Sequence, residues 1–136
     1  PCTVLAFDID RFKSINDGWG HPAGDVVLRE TATALAETLR AGDVLGRLGG
    51  EEFAAVLRGV DGRAAVLMAE RLRRAVRDAA KHPAGGTTAV TLSCGIAVIS
   101  GAPPPPLALT AALEAADAAL YAAKRNGRDR VELAAA

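Results

Sequence analysis

The chain is short of the groups on which several common functions depend. Its sixteen basic and sixteen acidic residues cancel, so no global field draws it to nucleic acid or to an anionic membrane. Any cation that meets phosphate must do so locally. The two cysteines, Cys2 and Cys94, stand far apart in apolar, strand-like settings. That argues against a disulfide or zinc pair and for reduced thiols in a cytoplasmic domain. Histidine is as scarce, and His21 lies in a Gly-His-Pro turn where a hydrogen-bonding structural role outweighs a ligand role. No apolar run is long enough to span a bilayer and no stretch has a signal-peptide pattern, so direct membrane contact is not expected, whatever anchors a longer protein. Aromatics make up 4% of the chain while alanine and arginine are plentiful, which predicts helices packed closely through small side chains. The 136 residues suit one domain with its own core. Pro1 precedes an apolar strand so abruptly that the chain reads as a piece of a longer protein.

The most informative stretch is residues 47–57, RLGGEEFAAVL. Gly49 and Gly50, between two apolar runs, read as a tight hairpin turn, where glycine reaches positive φ without a Cβ clash. The arms are predicted over residues 43–48 and 52–57. Glu51 and Glu52 follow the turn, and alternation along a strand sends them to opposite faces. With no side chain on either glycine, this rim suits a metal-bound phosphate. A solvated hairpin kept soluble by its acids fits the motif taken alone equally well.

Residues 3–8, TVLAFD, read as a buried strand ending in a carboxylate. Asp8 and Asp10 flank Ile9, so both acids can share a face. Carboxylates at the end of a central strand suit magnesium, and Asp8 is assigned as such a ligand, whereas Asp10 is assigned as the cap of the next helix. Phe12 and Ile15 are spaced for a short helix that leaves Lys13 and Asn16 accessible and stops at Asp17-Gly18. A second helix, with Pro22 in its first turn, runs to about Leu39 on Val26, Val27, Leu35 and Leu39. Asn16 and Asp25 carry the amide and carboxylate that could match guanine's donor edge. Arg40 to Asp43 close that helix with a cation and a glycine. Asp61 is placed to N-cap a helix to Ala80, with Val66, Leu67, Ala69, Leu72 and Val76 inward and Arg71, Arg73, Arg74 and Arg77 in water. Residues 88–99 form a β-branched strand in which Gly95 marks a bulge or a close approach. The proline run in residues 100–106 predicts an extended loop. A last helix spans 107–127 on Leu113, Ala116, Leu120 and the Tyr121 ring, with Lys124 and Arg128 at its end, and residues 129–133 close as a strand.

The order strand, helix, helix, hairpin, helix, strand, helix, strand implies an α+β sheet with an antiparallel centre covered by helices. If the Asp8 strand borders the hairpin, Asp8 and Glu51 meet, and a divalent cation is the simplest relief of their repulsion.

Taken together, DIDRFKSINDGWGHPAGD, RAGD, RLGGEEF, SCGIA and LYAAKRNGR resemble a GGDEF domain of the diguanylate cyclase family, in the GGEEF form. The resemblance implies a fold like nucleotidyl cyclases and polymerase palms, with a ferredoxin-like core. It implies condensation of two GTP into cyclic di-GMP and pyrophosphate between two copies of the domain. Carried over, Asp8, the Ile9 carbonyl and Glu51 would hold two Mg²⁺, with Mn²⁺ able to substitute. One ion would activate the 3′-hydroxyl and the other neutralise the leaving group. Glu51 would be the favoured base and Glu52 the runner-up. Asn16 and Asp25 would read guanine, with Leu28 against the base. Lys13, Lys124, Arg128 and backbone near Phe12 would hold phosphates, beside the bare backbone of Gly49 and Gly50. Arg40 and Asp43 match an R-x-x-D product-inhibition site, completed by Arg71 of a neighbouring copy. Members usually carry a further segment before the first strand, with an L-T-G-L-x-N-R-R-like motif. Residues 1–136 therefore read as one N-terminally truncated domain cut from a multidomain signalling protein with a sensor domain. The alternative is a non-catalytic cyclic di-GMP receptor or GTP sensor, against which stand the retained hairpin acids.

Overall fold

Apolar side chains at both parities give residues Cys2–Ile9 two faces to bury, and that segment becomes the central strand, β1. The computed structural model describes residues 2–100 and 107–135. After β1 come α1 (Phe12–Trp19), α2 (His21–Thr38), β2 (Val44–Gly49), β3 (Glu52–Arg58), α3 (Gly62–Ala79), β4 (Leu92–Ile99), α4 (Ala108–Arg125) and β5 (Arg130–Leu133). The sheet has five strands in the order β2-β3-β1-β4-β5. β1 pairs antiparallel with β3 and β4, and β5 runs parallel to β4. This is the α+β architecture with an antiparallel centre that the element order implies. None of the described helices is long and apolar enough to cross a membrane.

Alternation along β1 divides the core. Leu5, Phe7 and Ile9 join Leu57, Leu72, Val76, Leu35 and Ile15 under α1, α2 and α3. Val4 and Ala6 meet Ala97, Ala112, Ala116 and Leu120 on the opposite face, which α4 covers. Asp8 continues the second series, so its carboxylate emerges on the α4 face. That face is built by an absent side chain. A Cβ on Gly95 would lie 2.0 Å from the Ala116 carbonyl oxygen and 2.3 Å from the Leu120 nitrogen, so the expected glycine signal is a close approach and not a bulge.

Asp61 caps α3 as expected, accepting from the Ala64 amide at 2.9 Å. Other boundaries and faces differ. Gly18 stays inside α1, which ends only at Gly20 with φ 88°. α2 ends at Thr38, so Arg40 to Asp43 form a separate turn in which the Asp43 amide donates to the Arg40 carbonyl. Residues 88–91 are not in β4; Ala89 makes only an isolated bridge to Lys81. Val26, Leu67 and Tyr121 are exposed, because α2, α3 and α4 each bury a narrower stripe than the apolar letters imply, one that in α4 is mostly alanine. Arg73 is not in water: its side chain is 16% exposed and paired with Glu70 and Asp129. Of the expected proline loop, residues 101–106 lie outside the described residues. Gly95→Val should cost at least about 3 kcal/mol and lower the melting temperature by roughly 10 °C. Thermal denaturation followed by circular dichroism checks this, and an unchanged midpoint would mean α4 is not seated on Gly95.

Candidate active site

β1 and β3 pair so that Asp8 stands directly opposite Glu52, and cross-strand partners share a face. The next residue toward the hairpin tip is Glu51, whose carbonyl accepts from the Ile9 amide at 3.3 Å. A cavity of about 150 Å³ opens there. Asp8 to Lys13 line it from the β1–α1 connection, Glu51 from the hairpin, and Lys124 and Arg128 from the end of α4 and the turn beyond. Residues more than a hundred positions apart thus meet at one rim, among them the sequence candidates Asp8, Ile9, Phe12, Lys13, Glu51, Lys124 and Arg128.

The hairpin differs from expectation in one instructive way. Gly49 ends β2 and pairs with Glu52 across a register shift, so the tight turn is Gly50-Glu51 and not Gly49-Gly50. Gly50 takes the left-handed φ of 51°, and Arg47 Nε donates to its carbonyl at 2.8 Å. Glu51 is therefore a turn residue. Strand alternation does not govern it, and Glu51 lines the cavity while Glu52, in β3, points to the same face as Asp8.

Asp8 is 4% exposed. Burial lifts its carboxyl above the ordinary value, the hydrogen-bonded Lys124 ammonium draws it down without cancelling that effect, and Glu51 and Glu52 push it further up. Lys124 Nζ forms an ion pair with Asp8 Oδ2, so α4 supplies the counter-charge. Asp10 also lies on this face but does not cap α1. The cap position is Arg11, with φ 55°, and makes no side-chain cap. Asp10 instead accepts from Ser93 Oγ at 2.6 Å, Thr91 Oγ1 at 2.7 Å and the Asp129 amide at 2.9 Å.

Two further clusters hold the remaining candidates. Asp25 and Leu28 of α2, with Arg47 and Phe53, line a cavity of about 310 Å³. Asn16 is not fully accessible as expected. Its Oδ1 is buried without a hydrogen-bond partner and rests on Gly24, where a Cβ would come within 1.9 Å. Arg40 and Asp43 line a groove of about 380 Å³ with Arg58. Arg40 grips Asp43 through Nη2 at 3.0 Å and Nε at 3.2 Å, and Nη2 also donates to the Arg58 carbonyl at 3.0 Å. Arg71 is exposed on α3 and makes no hydrogen bond to this pair among the described residues.

Comparison with known proteins places this arrangement. Residues 1–130 match the model of the diguanylate cyclase GGDEF domain. The chain belongs to the GGDEF family. It is 41% identical over 134 residues to the diguanylate cyclase DosC of Escherichia coli, covering 98% of this chain and 28% of that protein. The GGDEF fold is equally plain. The GGDEF domain of DgcB from Caulobacter crescentus, solved in complex with c-di-GMP, superposes with a TM-score of 0.84 at 33% identity over 97% of this chain and 77% of that one. The active GGEEF domain of a diguanylate cyclase from Vibrio cholerae gives 0.84 at 31% identity, over 99% and 83%. The chain spans little more than a quarter of the curated relative's length.

The donors at the GGDEF rim suit a hard cation in kind. Asp8 and Glu51 bring carboxylates to it, and the upward push that Glu51 and Glu52 exert on Asp8 is the repulsion such an ion would relieve. Among the described residues no three acids, histidines or cysteines stand close enough to form a metal cluster by side chains alone. A cation there would need backbone or ligand oxygen to complete its shell. Sequence reading missed the anchoring role of Asp10, the turn clasp of Arg47 and the presence of Arg58 beside Arg40. For Asp10 a signal existed, since a period of two already put it on the face of Asp8.

Asp43 lends itself to a pH test. Burial raises its pKa, but hydrogen bonds from the Arg40 side chain and from the Arg40 and Arg58 backbone, with the Arg40 charge, leave it below the ordinary value. A depressed folded-state pKa stabilises above the unfolded value near 3.9, and the gain disappears as pH falls through the folded value. Asp43→Asn should therefore melt below the parent at pH 7, with the gap closing as pH falls below about 4. A gap that stays constant with pH would show that the Asp43 charge does not matter.

Proposed function

We propose that this GGDEF domain is the catalytic domain of a diguanylate cyclase, joining two GTP into cyclic di-GMP and two pyrophosphates between two copies. The carrying observation is the convergence of Asp8, Glu51, Lys124 and Arg128 on one cavity through the β1–β3 register and the seat of α4. Acids for metal and cations for phosphate lie within one site, which a solvated hairpin would not require. The DgcB complex with c-di-GMP and the active GGEEF domain support the same reading from related chains.

In this mechanism Glu51 takes the proton of the attacking 3′-hydroxyl, with Glu52 as the alternative base. Lys124 leaves Asp8 for the triphosphate, and Arg128 and Lys13 meet it from two sides. Amides at the start of α1, near Arg11 and Phe12, face it as helix N-terminal donors. Asp8, the Ile9 carbonyl and Glu51 would hold two Mg²⁺, which when bound lower the pKa of the hydroxyl and neutralise the leaving pyrophosphate. Asp25 accepts from guanine's donor edge, and Leu28 packs against the base. The partnerless Oδ1 of Asn16 is an acceptor that such a donor would satisfy. Attack on each α-phosphate needs a 3′-hydroxyl from the other nucleotide, hence the second copy. Arg40 and Asp43, with Arg71 of a neighbouring copy, form the site for inhibitory product. The domain, residues 1–136, is cytoplasmic and belongs to a longer signalling protein with a sensor.

The test is turnover of GTP with Mg²⁺ by the chain fused to a dimerising coiled coil. Cyclic di-GMP should accumulate, and Glu51→Gln should lower the rate roughly 10³-fold while leaving the circular dichroism unchanged. A dimer that binds GTP yet makes no product would sink the cyclase reading and leave a receptor.

The product site is tested separately. Arg40→Ala should weaken cyclic di-GMP binding about tenfold or more by calorimetry, a loss of at least about 1.4 kcal/mol. Equal affinity in the variant would remove the R-x-x-D site from the account.

A further inference from the structure

Among the described residues, four that are not glycine have left-handed φ, and three of them surround Asp10: Arg11 at 55°, Arg128 at 66° and Asp129 at 46°. Such conformations are disfavoured for side chains with a Cβ and persist only where neighbours over-determine them. Here they do. The Arg128 amide donates to the Ala123 carbonyl at 2.9 Å, and Arg130 Nε donates to the Arg128 carbonyl at 3.2 Å. The Asp129 carboxylate is held by Arg73 at 2.7 Å and Arg77 at 3.3 Å, both from α3. The Asp129 amide closes the set on Asp10. Asp10 itself is 8% exposed, and its carboxylate is aimed by Thr91 and Ser93 while its amide donates to the Thr91 carbonyl at 2.9 Å.

We propose that Asp10 is the positioning residue of the triphosphate cradle. It ties the turn after β1, which starts α1, to the turn after α4, which carries Arg128, and so holds the two arms at a fixed separation across Asp8. Three donors already occupy its carboxylate, which leaves little of it for a cation and sets its role apart from that of Asp8. Preorganised donors act on charge without reorganising, so the benefit of this brace falls on the phosphates and not on the base. Guanine is read from Asp25 and Leu28, which line a different cavity.

This inference rests on the cyclase reading. The experiment titrates the parent chain, Asp10→Ala, Asp10→Asn and Ser93→Ala with three probes: Mg²⁺ plus the non-cleavable α,β-methylene analogue of GTP, guanosine, and Mn²⁺ alone. In Asp10→Ala, affinity for the analogue should fall about tenfold while guanosine and Mn²⁺ stay within about twofold. Asp10→Asn should recover most of the loss, because its amide oxygen can still accept from Asp129 and Thr91 while its NH₂ donates to the Ser93 hydroxyl. If Asp10→Ala does not fold, Ser93→Ala reads the same quantity, with a loss of about threefold confined to the analogue. A folded Asp10→Ala with parental affinity overturns the proposal, as does an unchanged Ser93→Ala. An equal loss for guanosine would make Asp10 a general structural residue, and a loss of Mn²⁺ binding would make it a ligand; either overturns the proposal. A parent that binds no Mg²⁺–analogue instead removes the cyclase reading beneath it.

Discussion

The seat of α4 on β4 governs everything on the face of the sheet that carries Asp8. Its backbone lies where a side chain at position 95 would be, and Ala112, Ala116, Ala119 and Ala123 keep the helix close along its length. Only at that distance can Lys124 reach Asp8 and the following turn deliver Arg128 to the same cavity. A helix with larger side chains on this stripe would stand off the sheet and carry both cations away. The scarcity of aromatics and the wealth of alanine are thus geometric requirements of the site. Close-packed interiors convert such small volumes into fixed positions.

Net neutrality of the chain takes a particular form in three dimensions. Three of the cations proposed to meet anions are engaged with acids of their own chain: Lys124 with Asp8, Lys13 with Asp17, Arg40 with Asp43. Ligand binding at these places would therefore be an exchange of partners, in which an arriving phosphate or metal has to offset the loss of an existing contact. Exposed pairs such as Lys13–Asp17 yield easily, since they contribute little. The Arg40–Asp43 pair, with three contacts from one arginine and a carboxylate side chain only 1% exposed, is the best defined of the three.

Much of this is legible in the sequence. Asp61 as a cap, the strand that carries Asp8, the hairpin and Gly95 as a bulge or a close approach all depend on local chemistry or on a short period. What escaped depends on distant partners. Asp10 lies 81, 83 and 119 positions from the three groups that donate to it, so a period of two puts it on the face of Asp8 but does not tell an anchor there from a helix cap. The turn slipped by one residue because the pairing of Gly49 with Glu52 is set by how β2 lies on β3, not by which letters are glycine. Tyr121, Leu67 and Val26 read as inward because they are large and apolar, whereas the buried stripes run through other residues, in α4 mostly alanine.

One consequence concerns the outermost strand. β2 borders β3 alone, most of its residues are exposed, and Val44 and Leu48 reach solvent with little beneath them. Few buried contacts resist its departure, so opening of this arm costs a small fraction of global unfolding, and its amides are the ones expected to trade protons with water first. The same arm ends in the turn that displays Glu51. The proposed catalytic rim of this domain therefore hangs from an edge strand with a single neighbour in the sheet.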